Sequence, residues 1–199
     1  MKAPDDKSKD QPVMLFASQK DWEKWLSKNH SIASGVWVRL AKKASALKSV
    51  NYAEALEVAL CYGWIDGQKK SYDADSSLQK FTPRRPKSIW SKINREKAEV
   101  LITAGKMKPA GLLAIEKAKQ DGRWDAAYDS QSKATVPEDF QMELDKNKKA
   151  KEFFATLKSV NRYAILFRIQ TAKKAETRAR RIQQFIEMLE RNETIHPQS

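Results

Sequence analysis

Cysteine and histidine are nearly absent: one cysteine, Cys61, and two histidines, His30 and His196, occur in 199 residues. One thiol cannot close an intrachain disulfide or build a cysteine metal cluster. Both histidines fall near the ends of predicted elements, with no second His or Cys at ligand spacing. They therefore suggest neither a metal site nor a Ser-His-Asp triad. Glycine is scarce as well, at six residues. No Walker A loop, dinucleotide GxGxxG, HExxH or GxSxG elbow is present, and no cofactor is implied. No run approaches the roughly 18 apolar residues that a membrane span needs. The opening MKAPDDKSKDQPV is polar and acid-containing, without the apolar core of a signal peptide. The expected location is cytoplasmic, with residues 1–13 a disordered lead. Acids are outnumbered, 25 against 38 Lys and Arg, for a formal charge of +13. That excess favours an anionic partner: a small molecule, an acidic protein, nucleic acid or a membrane surface.

What is present is mostly amphipathic helix. Ser18 is a cap for a helix carrying Trp22, Trp25 and Leu26 on one face, with Asp21 in its first turn. After Gly35, the segment 36–40 (VWVRL) is rich in strand formers. Asn51 and Glu54 form a capping-box pattern opening the helix YAEALEVALCY, which Gly63 ends. Cys61 lies on that buried helix and reads as a small core hydrophobe. Turn-rich DADSS between QKKSY and LQKFT predicts a hairpin across 65–82, paired with the 36–40 strand. Ser88 is the predicted cap of a helix through Ala104, whose face carries Ile93, Lys97, Val100 and Leu101. Pro109 opens the next helix, through Gln120, and Pro137 another, with Glu138 and Asp139 suiting its dipole. From Asn147 onward the pattern is helical with few breakers, and Ile182, Phe185, Ile186 and Leu189 form a core stripe.

Chemistry concentrates between Cys61 and Arg95. No acid occurs between Asp75 and Glu96, whereas Lys80, Arg84, Arg85, Lys87, Lys92 and Arg95 do. Pro83 and Pro86 bracket Arg84 and Arg85 and hold them extended, which suits bidentate capture of a phosphate or carboxylate. Trp90, Asn94 and Arg95 follow within about two helical turns, and the helix start at Ser88 would add free N–H groups. Asp66, between Ile65 and Gly67, is the acid to examine. It serves as a general base or orienting carboxylate, or as a structural partner of Arg84 or Arg85, the latter role being favoured. The ligand-site residues are therefore Asp66, Arg84, Arg85, Trp90, Asn94 and Arg95. A second basic run supplies Lys173, Lys174, Arg178, Arg180 and Arg181, able to follow nucleic-acid phosphates or to form a solvated helix face.

The blocks FASQKDWEKWL, GVWVRLAKK, ALCYGWIDG, FTPRRPKSIWSKIN and NRYAILFRIQTAKKAETRARRI give the chain a further reading. It resembles the YdeI/OmpD-associated family of bacteriocin-protection proteins. The tail carries Ile169, Ala172, Lys173, Glu176, Thr177, Arg178, Arg180, Arg181 and Ile182 of an I-x-x-A-K-x-x-E-T-R-x-R-R-I pattern. The resemblance implies a cytosolic protein of bacteriocin or cationic-peptide tolerance, and it transfers no catalytic residue. The predicted fold is α+β and mainly helical. It has a small antiparallel sheet of about three strands in a domain over 14–130 and a helical module over 131–195. The expected function is stress protection through binding of an anionic ligand, ahead of nucleic-acid binding by the C-terminal helix and of catalysis with Asp66 as base.

Overall fold

The computed structural model describes residues 11–197. The disordered lead expected at the N-terminus lies outside the described residues through residue 10. The described residues form two compact units: 11–89 with 94–125, and 90–93 with 126–197.

The first unit is built on a four-stranded sheet in the order β1-β2-β4-β3. The strands are β1 (Val13–Leu15), β2 (Val36–Ala41), β3 (Trp64–Ser71) and β4 (Ser76–Pro83). The predicted hairpin is β3–β4, and β4 pairs antiparallel with β2 through Val36↔Phe81 and Trp37↔Lys80. The sheet has one strand more than expected. Three-residue β1 runs parallel to β2, with Val13 opposite Trp37, and is too short to show an alternating pattern.

Helix α1 (Gln19–Asn29) starts where Ser18 Oγ accepts from the Asp21 amide at 3.2 Å. Helix α2 (Tyr52–Cys61) has its full capping box, each of Asn51 and Glu54 accepting from the other's amide at 3.0 Å. Val36, Val38, Leu40 and Phe81 face inward and are buried, together with Trp22 and Trp64. The Trp22 ring lies 5.6 Å from Phe81 and 5.4 Å from Trp25, and its Nε1 donates to the Ala55 carbonyl. Each aromatic pair of this kind adds about 0.5–1.5 kcal/mol beyond the burial of its area.

Helix α3 (Lys92–Thr103) corrects one expectation, because it starts at Lys92 and not just after Ser88. Ser88 is already committed: its Oγ accepts from the Arg85 amide, and its own amide donates to the Arg85 carbonyl, both at 2.9 Å. Those bonds close a tight turn, so the anion site expected from a helix start at Ser88 does not form. The helix also turns a different face inward, burying Ala98 and Leu101 and leaving Val100 68% exposed. Helix α4 (Pro109–Gln120) opens on proline as predicted.

The second unit packs α5 (Glu138–Lys146), α6 (Lys148–Thr156), α7 (Ser159–Gln170) and α8 (Ala175–Glu190) around Phe140, Leu144, Phe154, Ile165 and Ile186. The long helical pattern after Asn147 is thus cut at Leu157–Lys158 and at 171–174 without glycine or proline. Residues 90–92 join this unit, Trp90 accepting from Tyr128 and Lys92 donating to it through the backbone.

Candidate functional site

A cleft of about 680 Å³ opens in the first unit. Its walls come from the turn after α2 (Tyr62, Gly63, Trp64), the end of β4 and its loop (Pro83, Arg84, Arg85, Pro86), and one face of α4. Gly63 makes this approach possible. Its φ of +71° takes the chain directly from α2 into β3, and a Cβ there would stand 2.8 Å from the Ala110 carbonyl oxygen of α4. The pairing of Trp64 with Pro83 is extended one step by the Arg84 amide donating to the Gly63 carbonyl at 3.0 Å. Sheet geometry therefore sets where the two arginines leave the ladder.

Charge and shape are set by five side chains. Arg84 Nη1 donates to the Ile89 carbonyl at 3.3 Å, while Arg85 is exposed beside it. Arg123 is 7% exposed; its Nε reaches both carboxylate oxygens of Asp121 at 2.7 Å, and its Nη1 donates to the Ser88 carbonyl at 2.7 Å. That guanidinium pins the Arg84–Ser88 loop to the end of α4. Lys117 completes the set, so four cationic side chains line the cleft against the single carboxylate of Asp121. Leu113, half exposed, and Ala114 form an apolar wall. Burial pushes the Tyr62 phenol above its ordinary range, so it keeps its proton. Such a cleft can hold an anion with an apolar body, within the usual size of small-molecule sites, roughly 300–1,000 Å³.

Of the six predicted site residues, the structure brings Arg84 and Arg85 to the cleft. Asp66 lies along β3, where its carboxylate accepts from the Tyr52 hydroxyl at 2.8 Å. Trp90 is 1% exposed and presents no ring face to solvent. Asn94 sits half-buried in α3, and Arg95 Nη1 donates to the Trp124 carbonyl at 3.3 Å. Lys117, Arg123, Tyr62 and Leu113 were not predicted. A signal existed for the α4 wall: Ala110, Leu113, Ala114 and Lys117 follow helical i, i+3, i+4, i+7 spacing. Nothing in the sequence marks Arg123 as buried.

Cys61 lies at the end of α2 in a smaller cavity with Glu23, Glu57, Lys106 and Lys108. Burial first, then the charges of Glu57 and Glu23, push its pKa up to about 11. The thiol is protonated at neutral pH and unsuited to nucleophilic work.

In the second basic run, two of five cations are engaged by the fold. Arg178 grips Asp139 with Nε at 2.6 Å and Nη2 at 2.8 Å, and its Nη1 donates to the Ile169 carbonyl. Arg181 Nη1 donates to the Arg168 carbonyl. Lys173, Lys174 and Arg180 are exposed. The Arg178 hydrogen bond holds the Asp139 carboxyl below its usual range. A depressed folded-state pKa gives stability that is present above the ordinary carboxylate range and is lost as pH falls through the folded value. Because the Asp139 side chain is 46% exposed, solvent screening limits the pair to about 1 kcal/mol. Asp139→Asn is expected to lower the melting temperature at pH 7 by roughly 2–4 °C. The gap from wild type should begin to narrow near pH 4 and close as pH falls through the lower folded-state value, as pH-dependent melting curves would show.

Comparison with known proteins divides the chain in the same order. Residues 14–114 match a family described as a domain of unknown function (DUF8412). Residues 133–192 match a family described as "Bacteriocin-protection, YdeI or OmpD-Associated". The blocks between residues 16 and 94 fall in the first match, and the tail pattern from Ile169 to Ile182 falls in the second. No curated protein and no solved structure matches the chain. The first match spans just over half of the chain.

Proposed function

Since the chain belongs to the family described as a domain of unknown function (DUF8412), we propose a function from the site: a cytosolic stress-protection protein that captures a small organic anion in the basic cleft. The observation that carries this reading is the convergence of Arg84, Arg85, Lys117 and Arg123 on one cleft with an exposed apolar wall at Leu113. Arg84 and Arg85 clamp a phosphate or carboxylate, Arg123 holds their loop in place, and Leu113 with Ala114 takes the apolar body. Arg is suited to this work because its planar fork meets two oxygens at once. The role is binding: Asp121, the carboxylate lining the cleft, is held by Arg123 and leaves the cationic side chains to face the anion. The match of residues 133–192 supports the stress-protection part, with bacteriocin or cationic-peptide tolerance as its setting.

A thermal-shift titration tests this at fixed ionic strength with inorganic phosphate, aryl phosphates, aryl carboxylates and their neutral alcohols. A ligand present at 100 times its Kd stabilises by about 2.7 kcal/mol, which corresponds to roughly 5–10 °C for a chain of this size. Anions with an apolar group are expected to reach that shift, inorganic phosphate to fall short of it, and neutral analogues to give none. Equal shifts from the neutral analogues, or none from any anion, would contradict the reading.

A further inference from the structure

The sheet of the first unit has a second face, and its composition is unusual for a surface in water. Alternation along β2 sends Val36, Val38 and Leu40 inward, so Trp37 and Arg39 point outward. Register places Val13 and Lys80 beside Trp37, and Leu15 beside Arg39. Val13, Leu15 and Tyr72 are each between 44% and 52% exposed. Over the Trp37 ring stand two ammonium groups, Lys70 Nζ at 4.3 Å and Lys80 Nζ at 5.5 Å from its centroid. The Arg39 guanidinium lies 5.4 Å from the Tyr72 ring and is fixed by Asp73 at 2.6 Å and by Ser76 Oγ at 2.8 Å. None of these residues lines the cleft.

We infer that this outer face binds single-stranded nucleic acid. The half-buried Trp37 ring and the 52% exposed Tyr72 ring give unpaired bases two stacking surfaces, which a paired base inside a duplex cannot use. A base that stacks on Trp37 takes the face over which Lys70 and Lys80 now stand, and the two displaced ammonium groups, on flexible stems, remain within reach of its phosphate. The formal charge of +13 supplies the long-range attraction. A lipid surface fits less well. Trp37 is half-buried within the sheet and cannot insert, and Val13 and Leu15 alone form a narrow apolar edge. The surface differs from the C-terminal run, where Arg178 and Arg181 are tied to the fold and no aromatic ring is interleaved.

Fluorescence anisotropy with a labelled 12-nucleotide oligothymidine, an RNA of equal length and a duplex of equal length tests the inference across a salt series. Both single strands are expected to bind more tightly than the duplex. Trp37→Ala should weaken binding at least about tenfold, within the range for loss of one stacking platform, and Trp37→Phe should restore most of it. Lys70→Ala with Lys80→Ala should reduce the log–log salt slope by about 1.4, at about 0.7 per phosphate contact. That pair keeps the assay decisive if Trp37→Ala does not fold, which a circular-dichroism melt would reveal. Arg84→Ala with Arg85→Ala should leave oligonucleotide binding unchanged, so failure here and failure of the cleft reading are separately visible. Absence of a complex at low salt would overturn the inference. So would duplex bound as tightly as single strand, or binding lost in Lys173→Ala with Arg180→Ala but kept in the Lys70/Lys80 pair. Phosphatidylglycerol vesicles that bind through Lys70 and Lys80 while oligonucleotides do not would overturn it in favour of a membrane surface.

Discussion

Gly111→Ala is expected to lower the melting temperature by roughly 4–8 °C and to abolish ligand capture in the cleft. Gly111 is buried in the first turn of α4, where that helix crosses the end of α2. A Cβ there would collide with the Cys61 carbonyl oxygen, and would stand 2.6 Å from Met107 Cε and 2.8 Å from the Cys61 carbonyl carbon. Met107 can rotate away, but the carbonyl cannot, because it accepts from the Lys108 amide at 3.1 Å. Two effects oppose each other. Alanine favours the helix by about 1 kcal/mol over glycine. Overpacking against fixed backbone costs about 1–3 kcal/mol and sometimes more. The backbone clash wins here because relief requires α4 to move as a unit, and α4 carries Leu113, Ala114 and Lys117 into the cleft. With the overpacking cost at its upper end, the net loss of about 2 kcal/mol gives the expected shift, at 2–4 °C per kcal/mol. Differential scanning calorimetry reads the stability, and a variant melting at or above wild type would show that α4 does not seat on α2 as described.

How far these features could be read from the sequence depended on whether local chemistry or long-range packing decides them. The Ser18 cap, the Asn51–Glu54 capping box and the glycine turn at Gly63 are local, and all three form as predicted. The β3–β4 hairpin was equally legible, since DADSS separates two strand-forming runs. Ser88 illustrates the opposite case. Its hydroxyl could cap a helix or close a turn on Arg85, and the competition is decided by the buried Arg123 gripping the Ser88 carbonyl from 35 residues away. The site divides on the same line. Arg84 and Arg85 were visible because prolines and an acid-free window isolate them. Arg123 was not, because an arginine followed by tryptophan carries no mark of burial until α4 seats on α2 and the Ser88 carbonyl accepts from its guanidinium. Trp90 misled for a related reason: an aromatic beside a basic run looks like a ligand wall, whereas it is a packed core residue. In the tail, Arg178 and Arg181 look like free cations until α5 and α7 supply Asp139 and the Arg168 carbonyl.

The second large effect concerns the two arginines at the end of β4 that line the cleft. Arg84→Ala with Arg85→Ala is expected to weaken capture of an aryl phosphate or carboxylate at least about hundredfold. A hydrogen bond to a charged group contributes about 1.5–3 kcal/mol, and the double change removes at least two. The fold should persist. The backbone amides of both residues keep their bonds, Arg84 to the Gly63 carbonyl and Arg85 to Ser88 Oγ. The Arg123 clamp on Ser88 is untouched, and Arg85 is exposed. Among the side-chain bonds that Arg84 gives up is the long one to Ile89, at 3.3 Å, and the melting temperature should fall by about 4 °C, near 1 kcal/mol.

Isothermal titration of the best anion from the thermal-shift series into wild type and into this double variant, with a melt of each, is the most direct measurement. The expected result is one site per chain in wild type, affinity at least about a hundredfold weaker in the variant, and a cooperative melt in both. Undiminished affinity in a folded variant would contradict a binding cleft built on Arg84 and Arg85, and loss of the cooperative melt would show that the two arginines hold the fold and not a ligand.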